Sequence, residues 1–486
     1  MGDKTKLGLG ILGAAASLGL VGDLLLRATP WGVNVPLWVL TFVALAIALV
    51  ARNSLDITQE SRWFAVPLLF FAALFVWRDS NTLAVINGFA VIVSLSLVAV
   101  RSSSERMAIY GISDYLYRGI QAFLFAFAGI LPTAIRDVQW RELRGGGYTP
   151  LFPVLRGLAI SAPLLLIFGA LFVAADAVFE DILSNLFDFD LAEIFGHFIL
   201  FGFVAWISAG LLHAAVTGEN LPQPPERPAF LSLGIVEIGV VLGLLNALFL
   251  AFVLVQARYF FGGASRVLGP NGLTYAEYAR RGFFELVTVT ALVIPILLIS
   301  HWLLRPEKPC HTTIFQVLAG TLVGLLLVVM AAALQRMRLY TAEFGLTELR
   351  LYTTAFMFWM LAVLIWFILT VLRNRRDRFA FGALLTGFLA IAILNVINPD
   401  ALIVRTNIAR YESGERFDAL YLAYLSADAV PALVAAKSSI GDQPIYSDGP
   451  TLETILQDRW KNNENDWRTY NTSRARAQDV VLSSIE

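Results

Sequence analysis

Apolar residues run along most of this chain in blocks of about 20, the length that crosses the hydrocarbon core of a bilayer as a helix. The blocks are Leu7–Leu26, Val35–Val50, Trp63–Trp77, Leu83–Val100, Ile120–Ile135, Leu158–Ala175, Ile194–Val216, Leu231–Phe261, Gly282–Leu304, Ile314–Leu334, Leu351–Leu372 and Phe379–Ile397. Trp63–Trp77 is short and carries a tryptophan at each end, as rings seated at two membrane interfaces would. Ile120–Ile135 holds Pro132 and has arginines on both flanks, so it is either a span or a re-entrant or interfacial segment. From Asn398 the pattern changes. Apolar residues return at helical spacing among polar ones over Ala401–Tyr411, Phe417–Leu425, Asp428–Ala436, Leu452–Trp460 and Trp467–Leu482.

This pattern predicts an all-α, polytopic integral membrane helix bundle of eleven or twelve spans with a small soluble helical C-terminal region. Three parts follow: residues 1–157, the N-terminal spans with a basic connecting segment; 158–397, the core bundle; and 398–486, a helical cap. Lys4 and Lys6 precede Leu7 as in a signal peptide. The apolar run, however, continues past Ala14-Ala15-Ala16 to Leu26, which reads as an uncleaved first helix.

Composition agrees with the pattern. The 486 residues are 57% hydrophobic and 15% charged, against about 25% charged in soluble chains. Mean hydropathy is +0.69. A net charge of −1 gives no pull toward nucleic acid, and no zinc-ligand, phosphate-loop or nucleic-acid motif occurs, so no cofactor, metal or nucleic-acid partner is expected. Cys310 is the single cysteine and reads as a loop thiol.

Orientation follows from lysines and arginines in short loops. If Ile120–Ile135 does not cross, the basic stretches Arg101–Arg156 and Arg373–Arg378 share a side with the N-terminus. The acidic segment Asp176–Glu193 and the tail then share the other. That layout puts the N-terminus in the cytoplasm and the tail on the other side of the membrane.

Charges at the edges of the later spans are the candidate chemistry. Thr274-Tyr-Ala-Glu277 is a capping-box pattern, and Glu277, Arg281 and Glu285 are each four apart on one helical face. Glu285 falls inside the start of a span, where a carboxylate is costly unless paired. Arg336 to Arg350 reads as a tight connection, with Gly345 as helix C-cap and Thr347 as the next N-cap. Topology puts Arg258, Arg281, Arg338 and Arg350 at one membrane face with Tyr259 and Tyr340. They form either an anion or phosphate-headgroup site or a row of snorkelling anchors. Glu193 and His197 sit near Asp188 and Asp190 without tight metal-ligand spacing, and read as solvated interfacial charge.

The motifs Arg258-Tyr-Phe-Phe-Gly-Gly263, Tyr275–Leu286, Arg338-Leu-Tyr340, Gly345–Arg350, Asn398-Pro-Asp-Ala401 and Phe417–Leu433 resemble a group of prokaryotic multi-pass membrane proteins. That group is known by a domain-of-unknown-function label. The resemblance begins at about Leu158. It implies a prokaryotic cytoplasmic membrane and supplies no catalytic residue.

Three functions are compatible with these residues. One is transport or handling of an anionic solute or lipid headgroup, with Arg258, Arg281, Glu277, Glu285, Arg338, Tyr340 and Arg350 as the ligand-binding set. Another is a membrane sensor or scaffold whose C-terminal cap binds a partner protein. The third, a membrane-embedded transferase, rests on Glu285 alone. The sequence favours a non-enzyme, and the lipid bilayer is the one partner expected of all three.

Overall fold

The computed structural model describes residues 2–53, 59–99, 112–139, 191–217, 232–261, 283–305, 308–415, 418–440, 450–461 and 466–484, with a few isolated positions between 161 and 176. Among them the structure is helical apart from one isolated bridge, Leu233 to Leu304. The membrane helices are α1 (Asp3–Leu26), α2 (Asn34–Arg52), α3 (Gln59–Trp77), α4 (Asn81–Ala99), α5 (Ile112–Ala128), α6 (Leu191–Thr217), α7 (Ile235–Phe261), α8 (Phe283–Leu303), α9 (Pro309–Phe344), α10 (Glu348–Thr370) and α11 (Phe379–Ile397). Nine described helices are long and apolar enough to cross a membrane, and α3 adds a shorter apolar helix, Trp63–Trp77. The expected span Leu158–Ala175, the acidic segment before α6 and the Thr274 capping box lie outside the described residues.

Two apolar cores hold the bundle. α1 to α6 share one, with Phe42, Leu68, Phe71 and Leu212 fully buried. α7 to α10 and the start of α11 share the other, around Leu242, Leu297, Phe315, Leu326 and Phe367. α6 thus packs with the N-terminal helices, antiparallel to α1. Gly19 and Gly22 let it approach, since a Cβ on Gly19 would stand 2.8 Å from both Ala205 Cβ and the Phe201 carbonyl oxygen. Leucines and valines on the outer faces, such as Leu20, Val85, Val236 and Leu244, are exposed, as lipid-facing residues of a span are.

The ends of these helices fall on two faces. We call them the N face, where α1 begins, and the cap face, where α1 ends. α5 and its continuation, Ile130–Pro132 and a π-helical turn Thr133–Asp137, bend by 44° at Gly129. Tyr115, near the start of α5, packs with Phe64, Leu97, Val98, Phe381 and Leu384. At the far end, the backbone N–H of Gln139 donates to Thr5 Oγ1 at 3.3 Å, and Val138 lies against Gly8. All these neighbours belong to the N face. The bent segment therefore returns to the face it starts from, which the proline and flanking arginines allowed but did not decide.

Two boundaries differ from the hydropathy blocks. The block Leu231–Phe261 is helical only from Ile235, because the Leu233 backbone is engaged elsewhere. Its N–H donates to the Leu303 carbonyl at 2.9 Å, and its carbonyl accepts from Arg305 at 3.0 Å. Ile314–Leu334 sits inside a 36-residue helix, α9. At 1.5 Å per residue α9 is about 54 Å long, far beyond a core of about 30 Å, so it projects from the membrane.

A buried amide pair joins α4 to α11. Asn87 Nδ2 donates to Asn395 Oδ1 at 3.1 Å, and Asn395 Nδ2 returns to Asn87 Oδ1 at 2.9 Å. Asn87→Leu alone leaves the Asn395 amide half-satisfied and will cost about 1–3 kcal/mol. Asn87→Leu with Asn395→Leu will cost less than the sum of the two single changes. Additive losses in detergent unfolding would show that the two amides act independently.

Beyond α11 the chain folds into a helical cap: α12 (Pro399–Glu412), α13 (Ala419–Ala423), α14 (Val430–Ala435), α15 (Lys437–Ile440), α16 (Leu452–Trp460) and α17 (Thr472–Ser483). Its own core gathers Ile403, Val404, Leu422, Val430, Leu433, Leu456 and Val481. Leu351 of α10 and the flank of Leu394 join that core, so cap and bundle share apolar contacts.

Candidate functional site

The densest buried polar cluster among the described residues lies where the cap meets the α3–α4 turn, Arg78-Asp79-Ser80. A helix leaves its first N–H groups without partners, and a carboxylate placed there is favoured by hydrogen bonding and by the helix dipole. At α4 that carboxylate comes from the cap, some 350 residues away in sequence. Asp428 Oδ2 accepts from the backbone N–H of Asp79 at 2.8 Å and of Ser80 at 3.1 Å. Asp428 Oδ1 accepts from Arg78 Nη1 at 3.2 Å and Ser473 Oγ at 2.6 Å. Arg78 also donates from Nε to the Asn395 carbonyl at 2.7 Å, at the end of α11, and its guanidinium lies 4.2 Å from the Trp77 ring centroid.

The carbonyl end of α3 is closed by the same docking. Asn471 Nδ2 donates to the carbonyls of Phe75 (2.8 Å) and Arg78 (2.9 Å), and Ser473 Oγ, whose one hydrogen goes to Asp428, lies 2.8 Å from that of Trp77. Arg474 faces Asp79 Oδ1 with Nε at 3.2 Å. It reaches the Pro30 and Trp31 carbonyls of the α1–α2 turn with its other nitrogens, at 3.2 and 2.8 Å. Asp79 Oδ2 accepts from the N–H of Ala427 at 3.2 Å. Burial raises the Asp79 carboxyl to about 6, against the pull of Arg474.

The α9–α10 turn is held in a parallel way. Asn407 of α12 accepts from the Leu346 N–H at 2.8 Å and donates to its carbonyl at 2.7 Å. Arg410 Nη2 donates to the carbonyls of Ala342 (2.8 Å) and Glu343 (3.0 Å), at the end of α9. The Tyr421 hydroxyl accepts from the Glu348 N–H at 2.9 Å, at the start of α10. Gly345 has φ +79°, and a Cβ there would meet Asn407 and Arg410, so glycine is required both by backbone conformation and by the approach of α12. One cap therefore clasps turns belonging to both apolar cores.

Asp400, in the first turn of α12, is 1% exposed. Its Oδ2 accepts from the hydroxyl and the N–H of Ser426, while Oδ1 has no hydrogen-bond partner among the described residues. Burial is the main cause that raises this carboxyl to about 6, with Glu348 and Asp428 adding to it.

The sequence-predicted set is distributed differently. Arg350 stacks over the Tyr340 ring at 4.0 Å, lies 5.8 Å from the Phe344 ring, and donates to the Gly345 carbonyl. These four residues form a closed clasp on the α9–α10 turn. Arg338 is exposed on the projecting end of α9, beyond Arg336, whose Nη2 donates to Gln256 Oε1 at 3.1 Å. Glu285 is exposed in the first turn of α8. Arg281 and Glu277 lie outside the described residues. Arg258 belongs to the last turns of α7, and its side chain likewise lies outside them. Tyr340 and Arg350 are thus the members of the set that the described residues bring together.

Both histidines of α6 face carboxylates from other segments. His197 Nδ1 is 2.5 Å from Asp23 Oδ2, and Arg27 lies 3.9 Å from both Asp23 and Glu193. His213 Nδ1 is 2.7 Å from Thr133 Oγ1 and 3.5 Å from Asp137 Oδ2. Among the described residues no group of three or more His, Cys, Asp or Glu could hold a metal ion.

Residues 65–436 match the family described as Domain of unknown function (DUF4153), and the chain belongs to that family. The match begins inside α3, earlier than the motifs after Leu158 suggested. It includes Arg78, Asp79, Asp400 and Asp428, and it ends before α17. No curated protein matches the chain, and no solved structure matches it. The chain is a multi-pass membrane-type helical protein, and its distinguishing internal feature is the cap-to-bundle lock.

Proposed function

We propose that this protein is a membrane-anchored sensor or scaffold whose helical cap couples the two halves of its bundle. The observation that carries this reading is the double clasp: the cap bonds the α3–α4 turn of one core and the α9–α10 turn of the other through buried, directional groups. A cap that only shielded helix ends would have no need of buried ion pairs, which contribute little net stability but specify one arrangement. The N face carries Arg52, Arg305, Arg373, Arg375, Arg376 and Arg378, so the positive-inside rule supports a cytoplasmic N face and an extracytoplasmic cap in a prokaryotic inner membrane.

The test uses the full-length protein in nanodiscs, with spin labels at the lipid-facing positions Leu20 of α1 and Val240 of α7. Coupling predicts one narrow distance distribution that broadens in Asp428→Asn. An equally narrow distribution in both proteins would remove the coupling role.

A second reading, headgroup handling, draws on Arg338, which is exposed on the part of α9 that projects from the membrane. Arg338 together with Arg258 and Arg281 would meet anionic phosphate at the interface. In vesicles containing phosphatidylglycerol, Arg338→Ala is then expected to lower lipid retention severalfold, as read by native mass spectrometry. Retention equal to wild type would discard this reading.

A further inference from the structure

The charges at the cap–bundle junction do not balance among the described residues, and the imbalance is deepest at one residue. Four carboxylates meet there: Asp79, Asp428, Glu348 and Asp400. Arg78 answers Asp428, and Arg474 answers Asp79. Glu348, at the start of α10, also has no cation among the described residues; it accepts from Thr82 Oγ1 at 3.3 Å and is half-buried, whereas Asp400 is fully enclosed. Asp400 faces no cation among the described residues. The elements packed against it supply Ser426 and Asp428 from the turn before α14, Glu348 and Tyr352 from α10, Tyr421 from α13, and the neutral Asn395 and Asn398 at the end of α11. α14 brings no charged side chain, and Lys437 of α15 is 2.7 Å from Glu453. Arg350 is turned to the Gly345 carbonyl and the Tyr340 ring, and Arg459 donates to the carbonyls of Ala423 and Leu425.

A carboxylate this deeply enclosed, with one oxygen unpartnered, cannot stay ionised cheaply. It takes up either a proton or a small cation. Too few ligating side chains converge for a metal ion among the described residues, which favours the proton. We propose that Asp400 is a proton-binding site that sets how tightly the cap docks: protonated, it lets the junction close as observed, and ionised, it loosens the cap. This rests on the sensor reading above and names the signal as extracytoplasmic acidity.

The sign is fixed by linkage. Asp400 stands at about 6 in the closed junction, against 3.8 as the ordinary value. A raised carboxyl contributes most stability below its unfolded value and loses it as pH rises through the folded one. Docking should therefore tighten on acidification. Between pH 7.5 and pH 5 this one group gives about a tenfold change in the docking equilibrium. Asp79, raised to about 6 by burial, adds a step of the same sign.

The experiment is hydrogen exchange on the full chain in nanodiscs at pH 7.5 and pH 5, corrected for intrinsic exchange rates. It follows the amides of Asp79, Ser80 and Ala427, which donate into the lock. The wild type should show protection rising on acidification. Asp400→Asn, isosteric and neutral at every pH, should be protected at pH 7.5 and lose about tenfold of that response. Asp79→Asn should keep the Asp400 share. A wild type without a pH response, or Asp400→Asn with the full wild-type response, overturns the proposal. Replacing sodium by choline at fixed pH separates the sources of charge: a loss of protection in choline assigns the site to sodium and also overturns it. If the pH response appears while the spin-label distances ignore the lock, the proton site stands and the sensor reading fails.

Discussion

Asp428→Ala will detach the cap from the bundle at a cost of about 3–5 kcal/mol, the range for breaking one partner out of a buried ion pair. The carboxylate accepts four hydrogen bonds, so its loss leaves Arg78 without its counter-ion and two backbone N–H groups of the α3–α4 turn without an acceptor. Neither can recover water while the cap stays in place, because Asp428 is 4% exposed and Ser80 is 1% exposed. Limited proteolysis should cut the cap rapidly in the variant while the spans stay protected. Asp428→Asn retains an acceptor and should fall between the two proteins. Wild-type resistance in Asp428→Ala would mean that the apolar contacts of Leu351 and Leu394 dock the cap unaided.

The second large effect is expected deep in the bundle. α5 crosses α6 at two glycines, where a Cβ on Gly129 would stand 2.9 Å from Gly210 Cα and one on Gly210 would stand 2.6 Å from the Ala126 carbonyl oxygen. Trp206 Nε1 donates to the Phe127 carbonyl at 2.7 Å in the same place. Gly210→Val drives a branched side chain into backbone that has no rotamer to change, so the helices must separate. We expect a loss of about 3 kcal/mol, at the upper end for overpacking. Thr133 would also be drawn from His213, which is 2% exposed. Reversible unfolding in detergent measures it, and Gly202→Val, where a Cβ meets no heavy atom within 4 Å, serves as the control that should cost little.

Much of the architecture was legible because a bilayer imposes a strong rule: backbone polar groups must bond within the segment, so apolar blocks become helices. The cap helices were legible from their spacing, and Leu452–Trp460 has the expected limits. Where the reading stopped short, the cause was contact between distant parts of the chain. In the sequence, Ser426-Ala-Asp428 has the form of a turn with a local capping acid. Ser426 Oγ does accept from the Asp428 N–H at 3.3 Å, but the Asp428 carboxylate caps α4 instead. Arg78-Asp79-Ser80 falls between the blocks Trp63–Trp77 and Leu83–Val100. Its one visible signal was three polar residues in a row in a very tight turn, with an aspartate and a serine just before a helix. Asp23 lies within the block Leu7–Leu26 and His197 within Ile194–Val216, and their pairing depends on α1 and α6 being neighbours, which periodicity does not reveal.

The lock also sets a timetable for biosynthesis. Arg78 emerges 350 residues before Asp428, and the carbonyl of Arg78 emerges 393 residues before Asn471. At roughly 5–20 residues per second, that interval lasts tens of seconds. Throughout it the α3–α4 turn must stay solvated at the membrane surface, its ion pair unmade. A chain that stops before Asn471 would have its helices inserted while the α3–α4 hairpin is still open.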